Sequence, residues 1–257
     1  RFWEYKHSIR SRDLPDVIRR LKENDLKDET FFNGVEKYGI FDELHEALAD
    51  PALMKSRFVD TLYHADSTRY LTDDPGKNKA LWLFKMWGSG KVTKDLKEVI
   101  LQTQEELVMQ SPYLVVNRWS QTPFKKIRKH SPDVQFIIST NSFAATDNNL
   151  AYSGNYRLRS PYLKKLKFQI YEFKPQPALL EEEFPQYPDM EALAASNNLP
   201  KPTYAVHGKS FVMDKRVSFI GTYNLDSRSF NLNTEEGFLI EDEEIARDLR
   251  ADILRDT

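Results

Sequence analysis

From Arg10 to Leu48 the apolar positions Leu14, Val17, Ile18 and Leu21, then Phe41, Leu44 and Leu48, recur at spacings of three and four with charged residues between them. That is the period of a helix burying one face, and Pro15 falls where a first helical turn accepts it. Asp50-Pro51 breaks the pattern and opens a short helix from Ala52 to Leu62, the series around Asp73 to Gly76 reads as a turn, and Gly88-Ser89-Gly90 reads as a joint. Beyond it the period changes. Leu96 to Leu107 is amphipathic at helical spacing, Leu107 to Leu114 is strand-like, Phe124 to His130 is a basic helix, and Val134 to Ser139 is a buried strand. Phe168 to Phe173 predicts another strand. Lys174 to Pro202 holds six of the chain's 13 prolines and reads as a long loop. Ser210 to Met213, Val217 to Ile220 and Gly237 to Glu241 are β-rich, and Glu243 to Leu254 predicts a closing helix. The pattern therefore predicts a mostly helical connecting segment over residues 1–89, then an α/β unit over 90–257 whose sheet mixes parallel and antiparallel strands between flanking helices.

Composition narrows the function classes. With 40% hydrophobic residues in 257, the chain can bury a sizeable core. Lys plus Arg number 37 against 39 Asp plus Glu, a formal charge of −2, so nothing global draws the chain to nucleic acid or to anionic lipid. The absence of cysteine excludes disulfides and thiolate metal sites. The longest apolar run, Ala80 to Trp87, is interrupted by Lys85 and too short to span a bilayer; a buried helix is the commoner explanation, a dip into a membrane interface the alternative. Two basic, aromatic stretches, Arg118 to His130 and Tyr152 to Lys167, fit either solvated helix faces or a surface for phosphate headgroups or nucleic acid. The opening RFWEY, with neither Met nor a leader, is what a piece from within a longer chain would show.

The chemistry concentrates between Val206 and Asn224, VHGKSFVMDKRVSFIGTYN. In an extended segment His207 and Lys209 face one side, presenting an imidazole and an ammonium together, with Gly208 between them. Asp214 falls at a turn between two strands, where it is equally expected on turn chemistry alone. Gly221 permits close approach at the next turn, where the Thr222 hydroxyl and the Asn224 amide are available as donors. A phosphoryl group in displacement needs a cation and donors around its equatorial oxygens, and Lys209, Gly221, Thr222 and Asn224 form such a phosphate-binding set without calling for a metal or cofactor. An imidazole attacks phosphorus when neutral and protonates a leaving alkoxide when charged, but one histidine cannot do both at once. Glu235 in LNTEEG can hold the distal imidazole nitrogen of His207; Glu236, one residue on, points to the opposite face of an extended segment.

The spacing His207, Lys209, Asp214, Gly221, Thr222, Asn224 resembles the HKD signature of the phospholipase D superfamily. Together with SPYL at Ser111 to Leu114, STNSFAATD at Ser139 to Asp147, YEFKP at Tyr171 to Pro175, and GTYNLDSRS followed by LNTEEGFLI, it is similar to bacterial cardiolipin synthases of the branch lacking transmembrane helices. Thr222 stands where Ser is more usual and keeps the hydroxyl. The resemblance implies a phospholipase D-like fold and a catalytic set of His207, Lys209, Asp214, Asn224 and Glu235. It further implies phosphatidyl transfer between phospholipids through a phosphohistidine, and a peripheral place at a bacterial inner membrane. Because the family joins two signatures and His7, His45, His64 and His130 each lack a lysine two residues on, the second signature is expected upstream, in a missing first half that the aromatic FWEY opening would close, or on another chain. A phospholipase D hydrolase, a homodimeric phosphodiesterase or endonuclease acting on nucleic acid, and a noncatalytic lipid-binding module are the rival readings.

Overall fold

The computed structural model describes residues 48–75, 77, 90–177, 180, 184–185 and 187–255. The helix expected over Arg10 to Leu48 and the ALWLFKMW run lie outside the described residues, apart from Leu48 itself. The chain divides into two units, Arg1–Tyr63 and His64–Thr257. In the first, helix α1 (Pro51–Phe58) starts where Asp50 accepts the backbone N–H groups of Ala52 and Leu53 and Pro51 fills the first helical position.

The second unit is built on strands β1 (Ser67–Thr72), β2 (Glu106–Gln110), β3 (Gln135–Asn141), β4 (Phe168–Phe173), β5 (Ser210–Met213), β6 (Val217–Gly221) and β7 (Glu236–Glu241). They form one sheet in the order β1-β7-β6-β5-β2-β3-β4. The β2-β3 and β3-β4 pairs are parallel and the others antiparallel, the mixed sheet that the pattern predicts. Its helices are α2 (Lys91–Ile100), α3 (Thr122–His130), α4 (Asn149–Pro161) with a π-helical turn at Tyr162–Leu166, α5 (Tyr187–Ser196), α6 (Ser227–Asn231) and α7 (Glu243–Arg255). Strand β2 is buried along its whole length because both faces are covered. Leu107 and Met109 join the larger core with Leu96, Phe124 and Tyr162, whereas Val108 joins Val212, Ala246 and Ile253 under α7. The alternation along β5, with Phe211 and Met213 on one side and Val212 on the other, follows the same division.

Three expectations need correction. Strand β1 pairs with β7 and so carries the sheet upstream of Gly90, where the α/β unit was expected to start. It escaped notice because STRYLT is an edge strand with only Leu71 and its polar flanks to show a period. The helix expected from Leu96 to Leu107 runs instead from Lys91 to Ile100. Its predicted end is taken into β2, whose first residues are held by a carboxylate far along the chain. The proline-rich stretch is not all loop: Pro188 lies in the first turn of α5, where no N–H is missed, and the alanine-rich ALAAS that follows favours helix.

Candidate phosphodiester site

Strands β5 and β6 form a hairpin whose turn residues Asp214 and Lys215 both have positive φ, 50° and 56°. The loop spans Asp214 to Arg216, whose N–H donates to Met213 O at 3.1 Å, and Asp tolerates the left-handed backbone better than most residues. The Asp214 carboxylate accepts the backbone N–H groups of Gln104, Glu105 and Glu106 at 2.9, 2.8 and 3.0 Å, and its own N–H donates to Glu106 O. Asp214 therefore fastens the hairpin to the start of β2 at the end of β5 opposite His207. Its geometry is that of a structural pin.

His207, Gly208 and Lys209 lead into β5. The His207 imidazole is exposed and accepts or donates no hydrogen bond among the described residues. Its backbone is placed by Asn141 at the end of β3, whose amide donates to Val206 O and accepts Val206 N–H, both at 2.9 Å. A Cβ on Gly208 would fall 2.2 Å from Gln110 Oε1, so that side chain would have to move aside. The Lys209 ammonium bends back to donate to His207 O at 2.8 Å. Burial pushes Lys209 below the ordinary lysine range, while Glu235, Asp147 and Asp226 each oppose that shift by favouring its charge.

Those carboxylates are themselves engaged. Glu235 is 3% exposed and accepts the Thr222 hydroxyl at 2.5 Å, while Thr222 Oγ1 accepts Glu236 N–H at 3.0 Å. Among the described residues the Glu235 carboxylate is thus bonded to Thr222 rather than to the His207 ring, and the Thr222 hydroxyl hydrogen is committed to Glu235. Glu236 turns outward, accepting from Tyr70 Oη. Asp147 accepts from the Tyr113 hydroxyl at 2.9 Å, and the phenol is pushed up to about 12 by burial first and then by that carboxylate. Asp226 caps α6 by accepting Arg228 and Ser229 N–H, both at 2.8 Å, and burial raises its pKa. Asn224 is largely buried; its N–H donates to Ser229 Oγ at 3.1 Å, and its side-chain Oδ1 has no partner among the described residues.

Gly221 lies opposite Gly237 in the β6-β7 ladder over the Phe219 ring. A Cβ on Gly221 would meet Glu236 O at 2.3 Å and Phe219 Cζ at 2.7 Å, so the close approach is obligatory. The sheet thus brings His207, Lys209, Thr222, Asn224 and Glu235 toward one end and leaves Asp214 at the other. Sequence reasoning missed Asn141, Asp147 and Asp226, although the first two lie in the STNSFAATD run and the third in GTYNLDSRS.

Residues 96–257 match the family model described as cardiolipin synthase, PLD-like domain. The chain belongs to that family. It is 31% identical over 181 residues to cardiolipin synthase C of Escherichia coli (strain K12), an alignment covering 70% of this chain and 34% of that protein. To a cardiolipin synthase 2 of Staphylococcus epidermidis it is 43% identical over 51 residues, 20% of this chain and 10% of that protein. The chain thus spans about a third or less of the curated relatives it matches first. Among solved structures it is similar to NucT from Helicobacter pylori at 13% identity, with a TM-score of 0.48, covering 74% of this chain and 94% of that one. No described helix is long and apolar enough to cross a membrane.

Proposed function

We propose that the chain supplies one half of a phosphatidyltransferase site that moves a phosphatidyl group from a phospholipid to an alcohol acceptor. The observation that carries the reading is the exposed His207 imidazole, without a protein partner among the described residues, beside Lys209 and Asn224 in a chain of the cardiolipin synthase PLD-like family. One imidazole attacks phosphorus, forming a P–N bond as the P–O bond to the leaving alcohol breaks, and the second histidine's imidazolium protonates that alkoxide. The acceptor hydroxyl then gives its proton to the second imidazole while its oxygen attacks phosphorus and the P–N bond breaks. His207 fills one role and a histidine of a second signature, in an upstream half or on a second chain, fills the other. Lys209 and the Asn224 amide stabilise charge on the equatorial oxygens. Glu235, Asp147 and Asp226 all favour the charged form of Lys209, the form that neutralises a phosphoryl oxygen.

Peripheral contact with an anionic membrane has support of its own. Lys125, Lys126 and Lys129 of α3 and Lys164, Lys165 and Lys167 at the π-helical turn are exposed, and none forms an ion pair among the described residues. The two segments adjoin, Arg128 donating to Leu166 O at 2.9 Å. Exposed Trp119 and Leu163 offer apolar side chains beside these cations, which suits a bilayer interface better than a nucleic-acid groove.

The test is mass spectrometry of lipid products after incubating phosphatidylglycerol and phosphatidylethanolamine vesicles with the full-length protein, beside His207→Ala. Cardiolipin made by the unmodified protein alone is the expected result. Phosphatidic acid instead would make the enzyme a hydrolase, and the absence of any His207-dependent lipid product would sink the lipid reading and direct attention to nucleic-acid phosphodiesters.

A further inference from the structure

Behind the site lies an ion pair that belongs neither to the signature nor to the residues matched by the family model. Asp73 and Lys77 meet at 2.8 Å with side chains only 0% and 2% exposed. Every polar side-chain atom of the pair has a partner. Asp73 Oδ1 accepts Val92 N–H at 2.9 Å, at the start of α2. Its Oδ2 accepts both Lys77 Nζ and the Glu235 N–H, the latter at 3.0 Å, while Asp73 N–H donates back to Glu235 O at 2.9 Å. Lys77 Nζ donates a second time, to Ser229 O at 2.8 Å. Gly90 closes over the pair, since a Cβ there would come within 2.5 Å of Lys77 Cε and 2.8 Å of Asp73 Oδ1.

We propose that Asp73 and Lys77 are positioning residues that set the two sides of the phosphodiester site relative to each other. Asp73 grips the peptide of Glu235 through both its N–H and its C=O, which places the Glu235 carboxylate on Thr222 Oγ1. Lys77 holds Ser229, whose hydroxyl receives the Asn224 N–H. Burying two charges is costly, and apolar packing of equal volume often sustains a fold as well. What the pair adds is direction: three hydrogen bonds tie one carboxylate and one ammonium to α2, Ser229 and Glu235, and the Asp73 N–H adds a fourth to Glu235 O. The inference rests on reading Asn224, Thr222 and Glu235 as parts of the site.

The experiment compares three variants of the full-length protein. Asp73→Asn/Lys77→Gln removes both charges and leaves one acceptor where Asp73 offers two. Ile253→Ala lies in the separate core under α7 and serves as a control for lost stability alone. His207→Ala reports whether the site is catalytic. Turnover of bis-para-nitrophenyl phosphate is measured at a temperature where circular dichroism shows all of them folded, and hydrogen exchange is read at the Asn224 and Glu235 amides. For the double variant we expect kcat to fall about 100-fold below the Ile253→Ala control, as for a catalytic group displaced by about an ångström, with KM within about threefold. Exchange at the two amides should rise about tenfold over the control. A double variant whose kcat stays within about threefold of the control would overturn the proposal, whatever its exchange. If His207→Ala is itself as active as the unmodified protein, the site reading fails instead, and the clamp is decided on exchange alone: unchanged rates at both amides overturn it.

Discussion

Asp214 offers the sharpest separation of chemistry from structure, because the signature includes it while the geometry takes it away from the reacting atoms. Its carboxylate accepts three backbone N–H groups between 2.8 and 3.0 Å, and it adopts φ 50° in the hairpin turn. Replacing it with Ala removes those three bonds, each worth about 1 kcal/mol at a half-exposed site, and adds about 1 kcal/mol for a left-handed Ala, before water recovers part of the loss at the exposed amides. A net cost of roughly 3 kcal/mol lowers the melting midpoint of a unit the size of His64–Thr257 by roughly 6–12 °C. Asp214→Asn, which keeps the turn preference and part of the acceptor capacity, should lose less than half as much. Thermal unfolding by circular dichroism measures the stability, and turnover at a temperature well below both midpoints measures the chemistry. The reasoning predicts a large melting shift with kcat per folded molecule within about threefold of the unmodified protein. A variant that melts normally yet loses activity by orders of magnitude would refute it and return Asp214 to the reaction.

Other perturbations follow from the same geometry. Gly221→Ala forces a Cβ against Glu236 O and the Phe219 ring, and should cost roughly 2–4 kcal/mol in urea unfolding, with loss of activity as the β6-β7 ladder opens. Asn141→Ala releases Val206 from its paired amide contacts and should lower kcat by about 10- to 100-fold while substrate affinity changes little, since it shifts the backbone that carries His207. The pH profile tests Lys209. Burial lowers its pKa and the surrounding carboxylates raise it, so activity that needs the ammonium is present at lower pH and is lost as pH rises through a value below the ordinary lysine range. Asp147→Asn removes one of the carboxylates that favour the charge, so the alkaline limb should move further toward neutral pH; a limb that stays in place or moves the other way would show that Lys209 does not set it.

Strands legible from sequence include Ser210–Met213, apolar and buried on both faces, and Phe168–Phe173, whose inward residues alternate with the exposed Gln169 and Tyr171. There the local period carries the whole message. The signature was legible for a related reason, since His207, Lys209, Gly221, Thr222 and Asn224 lie close together on one hairpin and its outgoing loop, where chain spacing and spatial spacing agree. What stayed hidden acts at a distance. Strand β1 depends on the edge that β7 offers it, and the true end of α2 depends on Asp214 holding residues about 110 positions earlier in the chain. Asn141 and Asp73 read as ordinary polar residues at a strand end and in a turn; their significance comes from Val206, 65 residues on, and Glu235, 162 residues on.

This division bears on how the site works. Two of the legible residues that would touch a phosphodiester have little to fix them locally: the His207 ring has no protein partner among the described residues, and Lys209 folds onto a carbonyl two residues back. The hidden residues are buried amides and charges that grip backbone. Asn141 sets the approach to His207, Asp226 and Ser229 set Asn224, and Asp73 sets Glu235. A catalytic group held loosely by its own side chain is placed by the peptide that carries it, so precision at this site resides in contacts that no motif spacing can display.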